Sequence, residues 1–269
     1  MRNNLLWFAL GLLGLFGCTD KQSSWTYKEQ ILLEDISPVG IASDGNNLWL
    51  SDPDNNRVVK IDLKGKVLKE ILNLQRPMHI AYADEKLYVP EYLTDTISIF
   101  ENGKKSVLSV SSKLNAPAGI AVTDNTIAIA DFYNHRIILK EGEQEIIIGK
   151  EGHNQGELYY PTDVEIYKGR IYVADAYNNR VQVFDKQGNS LQLIGEKDNI
   201  NVATGITLLN EQIFVTDFKG NRVLIYDLDG ALIQVLVEDF DKPADVIQHE
   251  KQLIVVNYKG KNMVFLGQN

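Results

Sequence analysis

One pattern recurs from end to end of this chain and restricts the folds open to it. Pro161 to Asp185, PTDVEIYKGRIYVADAYNNRVQVFD, holds it in full. A proline leads into a short apolar run, a two-residue turn, the run IYVAD, a loop with Asn-Asn-Arg and the run VQVF. Copies begin at Pro38, Pro77, Pro117, Pro161, Ala203 and Pro243. They lie about 40 residues apart, the period at which each repeat is a small multi-stranded unit. An acid or its amide closes the second run: Asp52, Glu91, Asp131, Asp175, Asp217 and Asn257. Five positions later stand Arg57, Thr96, Arg136, Arg180, Arg222 and Asn262, a spacing held in all six copies.

Each copy reads as four strands. The first follows the proline, the second ends at the acid, and the third begins at the arginine. A turn such as DLKG, ENG, KQG or DLDG then leads to a fourth, such as VLKEIL or SLQLIG. Glycine and asparagine in those turns suit the positive φ of tight hairpins. β-Branched and aromatic residues dominate the runs, and no long helical period interrupts them. Four-stranded units at this period form the blades of a propeller. The expected fold is therefore all-β, a six-bladed β-propeller of four-stranded blades. The sixth copy stops after its third strand, while Tyr27–Leu33 precedes the first proline with no partners in its own copy. The N-terminal strand is expected to close the last blade, because an open ring would expose sheet edges.

The copies resemble the NHL repeat: proline, a small residue, an apolar strand, then V-x-D-x-x-N-x-R-[IV]. PTDVEIYKGRIYVADAYNNRVQVF, PAGIAVTDNTIAIADFYNHRIILK and ATGITLLNEQIFVTDFKGNRVLIY carry the likeness best, and GKEGHNQGELYYP resembles the glycine-rich joint between NHL blades. The second copy, with Pro90-Glu91 and Asp95-Thr96, and the sixth, with Asn257 and Lys261-Asn262, depart most. The resemblance implies the propeller fold and leaves function open. The family includes extracellular ligand sensors, protein- and RNA-binding domains and a peptide-amidating lyase that uses several histidines for zinc.

Residues 1–17 read as a secretion signal, with Arg2 followed by an apolar run from Leu5 to Phe16, too short for the roughly 20 residues that span a bilayer. The run ends Leu15-Phe16-Gly17-Cys18, which resembles the bacterial lipobox. Cys18, the only cysteine, is then the lipid attachment site, 18–24 a tether and 25–269 the propeller. The expected location is the bacterial cell envelope, periplasmic or at the cell surface, held to a membrane without crossing it. A net charge of −9 argues against nucleic acid, whose phosphates need clustered Lys and Arg. No Gly-rich phosphate loop, Cys/His zinc spacing or nucleophile elbow occurs.

Architecture demands a residue in most copies, whereas a ligand needs it only once. Asp52/Arg57, Asp131/Arg136, Asp175/Arg180 and Asp217/Arg222 recur and are expected to hold turns together. The second position after the proline behaves differently: it reads Gly40, His79, Gly119, Asp163, Gly205, Asp245. In a six-bladed ring His79, Asp163 and Asp245 stand about 120° apart at the channel mouth. They are candidate ligand contacts and could hold Ca²⁺ or Zn²⁺. Glu165 and Glu91 are further singletons expected nearby. The loop after the second strand and the joint into the first open on one face of a propeller. That face collects Tyr92, Phe132, Tyr133, Tyr177, Phe218 and Tyr258, with Lys219, Lys259, His153, Tyr159 and Tyr160. Of these, Tyr92, Tyr133, Tyr177, Phe218 and Tyr258 are the candidate ligand-binding rings. His135 reads as a variant of its loop, and His249 as a turn residue on the opposite face. The expected function is a monomeric, lipid-anchored binding module for a peptide, protein or glycan. A channel-centred metal-dependent hydrolase or lyase is the alternative.

Overall fold

A computed structural model describes residues 24–268. The signal segment, Cys18 and all but the last residue of the tether lie outside them. Six antiparallel four-stranded sheets form the blades. Blade four is typical: from the inside out it runs Pro161–Tyr167, Arg170–Asp175, Arg180–Asp185 and Ser190–Ile194. The two divergent copies are blades as well, blade two beginning at Ala81–Ala83 and blade six at Pro243–His249.

Blade six is completed from the other end of the chain. Trp25–Leu32 pairs antiparallel with Asn262–Gln268, with Trp25 opposite Gln268 and Leu32 opposite Asn262. The strand starts two residues earlier than its sequence pattern suggests, and its first residue is the anchor. Trp25 is 3% exposed and packs edge-on against Phe214 of blade five at 5.8 Å. Its backbone N–H donates to Gln234 Oε1 at 3.0 Å, and Gln234 Nε2 donates back to its carbonyl at 2.8 Å.

The core is divided among the six seams between blades. Blades three and four share Ile137, Leu139, Val164, Val173 and Phe184. Blades six and one share Val256, Phe265, Leu48 and Val59. Burying both faces of each middle strand explains why those runs are almost continuously apolar.

The repeated polar residues lock each joint to its blade. Arg57, Arg136, Arg180 and Arg222 donate from Nε to Asp52, Asp131, Asp175 and Asp217 at 2.8–2.9 Å. The second oxygen of each Asp accepts a backbone N–H of the preceding joint, from Ser37, Asn115, Tyr159 and Asn201. Blade two substitutes Glu91, which accepts from Gln75 N, Ser98 Oγ and Lys105 Nζ. Glu91 is thus a blade-holding residue and not a channel residue as its singleton status suggested. Blade six substitutes an Asn257–Asn262 bond of 2.6 Å.

Asn56, Asp95, His135, Asn179 and Asn221 all take left-handed backbone, with φ of 52–57°. Each accepts a backbone N–H from the following joint, donated by Arg76, Ala116, Tyr160, Val202 and Lys242 respectively. His135 does so through Nδ1 at 3.1 Å, the loop variant that the sequence indicated. His249 ends a strand and is not in a turn. It is buried and pairs with Ser43 Oγ across the blade six–one seam at 2.9 Å.

Candidate functional site

The entries to the inner strands of blades two, four and six bring His79, Asp163 and Asp245 together. They are 3%, 6% and 5% exposed, and their ligating atoms lie within 4.8 Å of one another. His79 Nδ1 stands 3.3 Å from Asp245 Oδ2 and 3.8 Å from Asp163 Oδ2. Asp163 accepts N–H bonds from Val164 at 2.9 Å and from Ile206 of blade five at 3.0 Å. Asp245 accepts from Val246 at 2.8 Å and from Ile41 of blade one at 3.0 Å.

Sequence alternation hid the reason for the glycines between these residues. A Cβ on Gly119 would lie 2.7 Å from Thr162 O and 2.8 Å from Asp163 Cα, and one on Gly205 would meet Ala244 O and Asp245 Cα equally closely. Gly40 stands in the same relation to Met78 and His79. The inner strands converge so tightly that every second blade must give up its side chain.

Burial opposes charge on His79, but the carboxylates of Asp163 and Asp245 outweigh it and raise the imidazole to about 9. Burial raises Asp163 to about 7, with His79 pulling it down and Asp245 pushing it up. Glu165, two residues along the same strand, is raised to about 8 by burial and by the two aspartates.

The cluster separates two channel cavities of about 300 Å³ each. The cavity on the loop face is lined by Arg76, His79, Phe132, Tyr177, Phe218, Lys219 and Tyr258. The opposite cavity is lined by Asp163, Glu165 and Asp245 with Tyr82, Thr207 and Gln248. The loop-face mouth therefore carries rings, two cations and the carboxylate of Asp54, and the other carries three carboxylates. Tyr258 Oη donates to Asp54, which also lines the loop-face cavity, at 3.1 Å. Among the described residues, no ion pair involves Arg76 or Lys219.

Of the candidate rings, Tyr177, Phe218 and Tyr258 line this vestibule. Tyr92 and Tyr133 do not. They extend an aromatic arc away from it: Tyr92–Tyr133 at 5.7 Å, Tyr133–Phe132 at 5.1 Å, Phe132–Tyr160 at 4.9 Å and Tyr160–Tyr177 at 5.1 Å. Tyr133 and Tyr177 are about half exposed, at 48% and 52%. Sequence reasoning missed Arg76, whose only sign is its place directly before Pro77 in a joint. Its guanidinium lies over Tyr92 at 5.4 Å.

Residues 148–263 match a family described as 6-bladed beta-propeller, and residues 114–138 match the NHL repeat. This chain is a six-bladed β-propeller with an NHL repeat at residues 114–138. Protein lin-41 of Caenorhabditis elegans is 49% identical over 45 residues, which is 16% of this chain and only 4% of that protein. Among solved structures, the propeller resembles a gluconolactonase from Xanthomonas campestris, with TM-score 0.73 and 15% identity over 89% of both chains. It also resembles a streptogramin B lyase, with TM-score 0.69 and 14% identity over 91% of this chain and 98% of that one. At these identities the likeness concerns the fold.

Proposed function

We propose that this propeller is an exported, lipid-anchored binding module of the bacterial cell envelope, attached through Cys18, that takes a peptide, protein or glycan on its loop face. The observation that carries this reading is the vestibule. Four rings, Phe132, Tyr177, Phe218 and Tyr258, surround a cavity of about 300 Å³ that Asp54 also lines, beside two cations, Arg76 and Lys219, that form no ion pair among the described residues. Rigid aromatic surface is ordered at little entropic cost and supplies most of the energy at recognition sites. The half-exposed Tyr133 and Tyr177 continue that surface onto the rim.

The test is a peptide and glycan array probed with the protein and with a Tyr177→Ala/Phe218→Ala variant. Hits are expected to weaken at least about tenfold in the variant, as for the loss of a hot-spot ring. Hits that are indifferent to both rings would move the binding surface elsewhere. The axial His79–Asp163–Asp245 cluster favours the second reading, a channel-centred metal-dependent hydrolase or lyase. A screen of lactones and esters with and without added metal separates the two: metal-dependent turnover selects the enzyme.

A further inference from the structure

The axial cluster is spaced too widely for charge-assisted hydrogen bonds. Charge-assisted N–H···O bonds close to about 2.7–2.9 Å. The 3.3 and 3.8 Å separations are longer, and among the described residues the buried His79 Nδ1 has no hydrogen-bond partner. Two ligands of one tetrahedral zinc ion, each about 2.0–2.1 Å from the metal, stand about 3.3–3.4 Å apart. The His79–Asp245 pair has that separation, and the His79–Asp163 pair needs to close by a few tenths of an ångström.

The surroundings suit ligation too. A carboxylate oxygen has two lone pairs, so the backbone N–H bonds from Ile206 and Ile41 leave one free on each Oδ2. Those bonds come from neighbouring blades and fix the direction of each carboxylate, as outer partners of metal ligands do. We propose that His79, Asp163 and Asp245 bind one divalent transition-metal ion, zinc foremost, on the propeller axis. Calcium prefers six to eight oxygen donors, whereas imidazole favours zinc and its neighbours. The ion pins blades two, four and six to one point. His79 also lines the aromatic vestibule and the aspartates line the acidic cavity, so the ion sits where both cavities reach it. This inference stands whether or not the loop face binds a peptide or glycan.

The experiment uses the full chain in detergent, without a histidine tag and stripped by chelator. Zinc, manganese and calcium chlorides are titrated separately by calorimetry, with melting followed in parallel. One equivalent of zinc is expected to bind and to raise the melting temperature, while equimolar calcium leaves it unchanged. His79→Gln is expected to lower zinc affinity more than the 10- to 100-fold typical of losing an outer partner. Asp163→Asn gives the same reading should His79→Gln fail to fold. The proposal is overturned by no heat and no melting shift with millimolar zinc, by calcium binding in preference to zinc, or by undiminished zinc binding in a folded variant.

Discussion

Asp175 shows what one residue does in this fold. Its carboxylate receives Arg180 Nε, Asn178 Nδ2 and the backbone N–H of Tyr159, and it is fully buried. Removing it takes the Nε acceptor from a guanidinium that is itself 4% exposed and leaves it only Glu196 and the Asn154 and Glu157 carbonyls. Asp175→Ala is expected to lose about 3–5 kcal/mol, the cost of breaking a buried pair from one side, measured by urea unfolding. A loss below about 1 kcal/mol would mean that the joint has other support. Gly119 makes the opposite point, because a methyl group there meets the backbone of blade four. Gly119→Ala is expected to cost about 1–3 kcal/mol, read in the same assay. The Asp/Arg pairs were legible because the chain supplies six copies to compare. The alternation of glycine with His79, Asp163 and Asp245 was also visible. Its steric cause was not, since the crowding atoms belong to the next repeat, about 40 residues away.

At the scale of the strand, ring closure rests on one aromatic side chain. Most of Trp25–Leu32 is exposed apart from its backbone pairing, so Trp25 supplies much of the apolar burial that holds it. Trp25→Ala is expected to destabilise by about 3–5 kcal/mol and to render residues 25–32 sensitive to protease before the rest unfolds. A variant as resistant as the parent would show that strand pairing alone closes the ring. The pattern YKEQILL revealed the strand, because it echoes the outer strands of other blades. Trp25 gave no such signal: its partners, Phe214 and Gln234, belong to a blade that the closing strand does not join. The vestibule was half legible for a related reason. Tyr177, Phe218 and Tyr258 follow the repeated acid, whereas Arg76 lies in a joint whose sequence changes from copy to copy.

For the whole molecule, six buried seams make a closed ring, and its axis collects what the seams cannot bury without partners. Protonation there ties stability to pH in one direction. Folded Asp163, Glu165 and His79 hold protons up to about 7, 8 and 9, against 3.8, 4.5 and 6.5 for their ordinary values. A folded value above the unfolded one contributes stability that is complete below the unfolded value and is lost as pH rises through the folded one. The melting temperature of chelator-treated protein is therefore expected to fall as pH climbs from about 5 to 9. Asp163→Asn should flatten the lower part of that fall, and a level profile in the parent would contradict the linkage. The most direct test of the axial site is anomalous diffraction from zinc-soaked crystals on either side of the zinc edge. The strongest peak should lie on the propeller axis, about 2.0–2.2 Å from His79 Nδ1 and from an oxygen of Asp163 and of Asp245. Zinc found only on surface residues, with the axis empty, would contradict it.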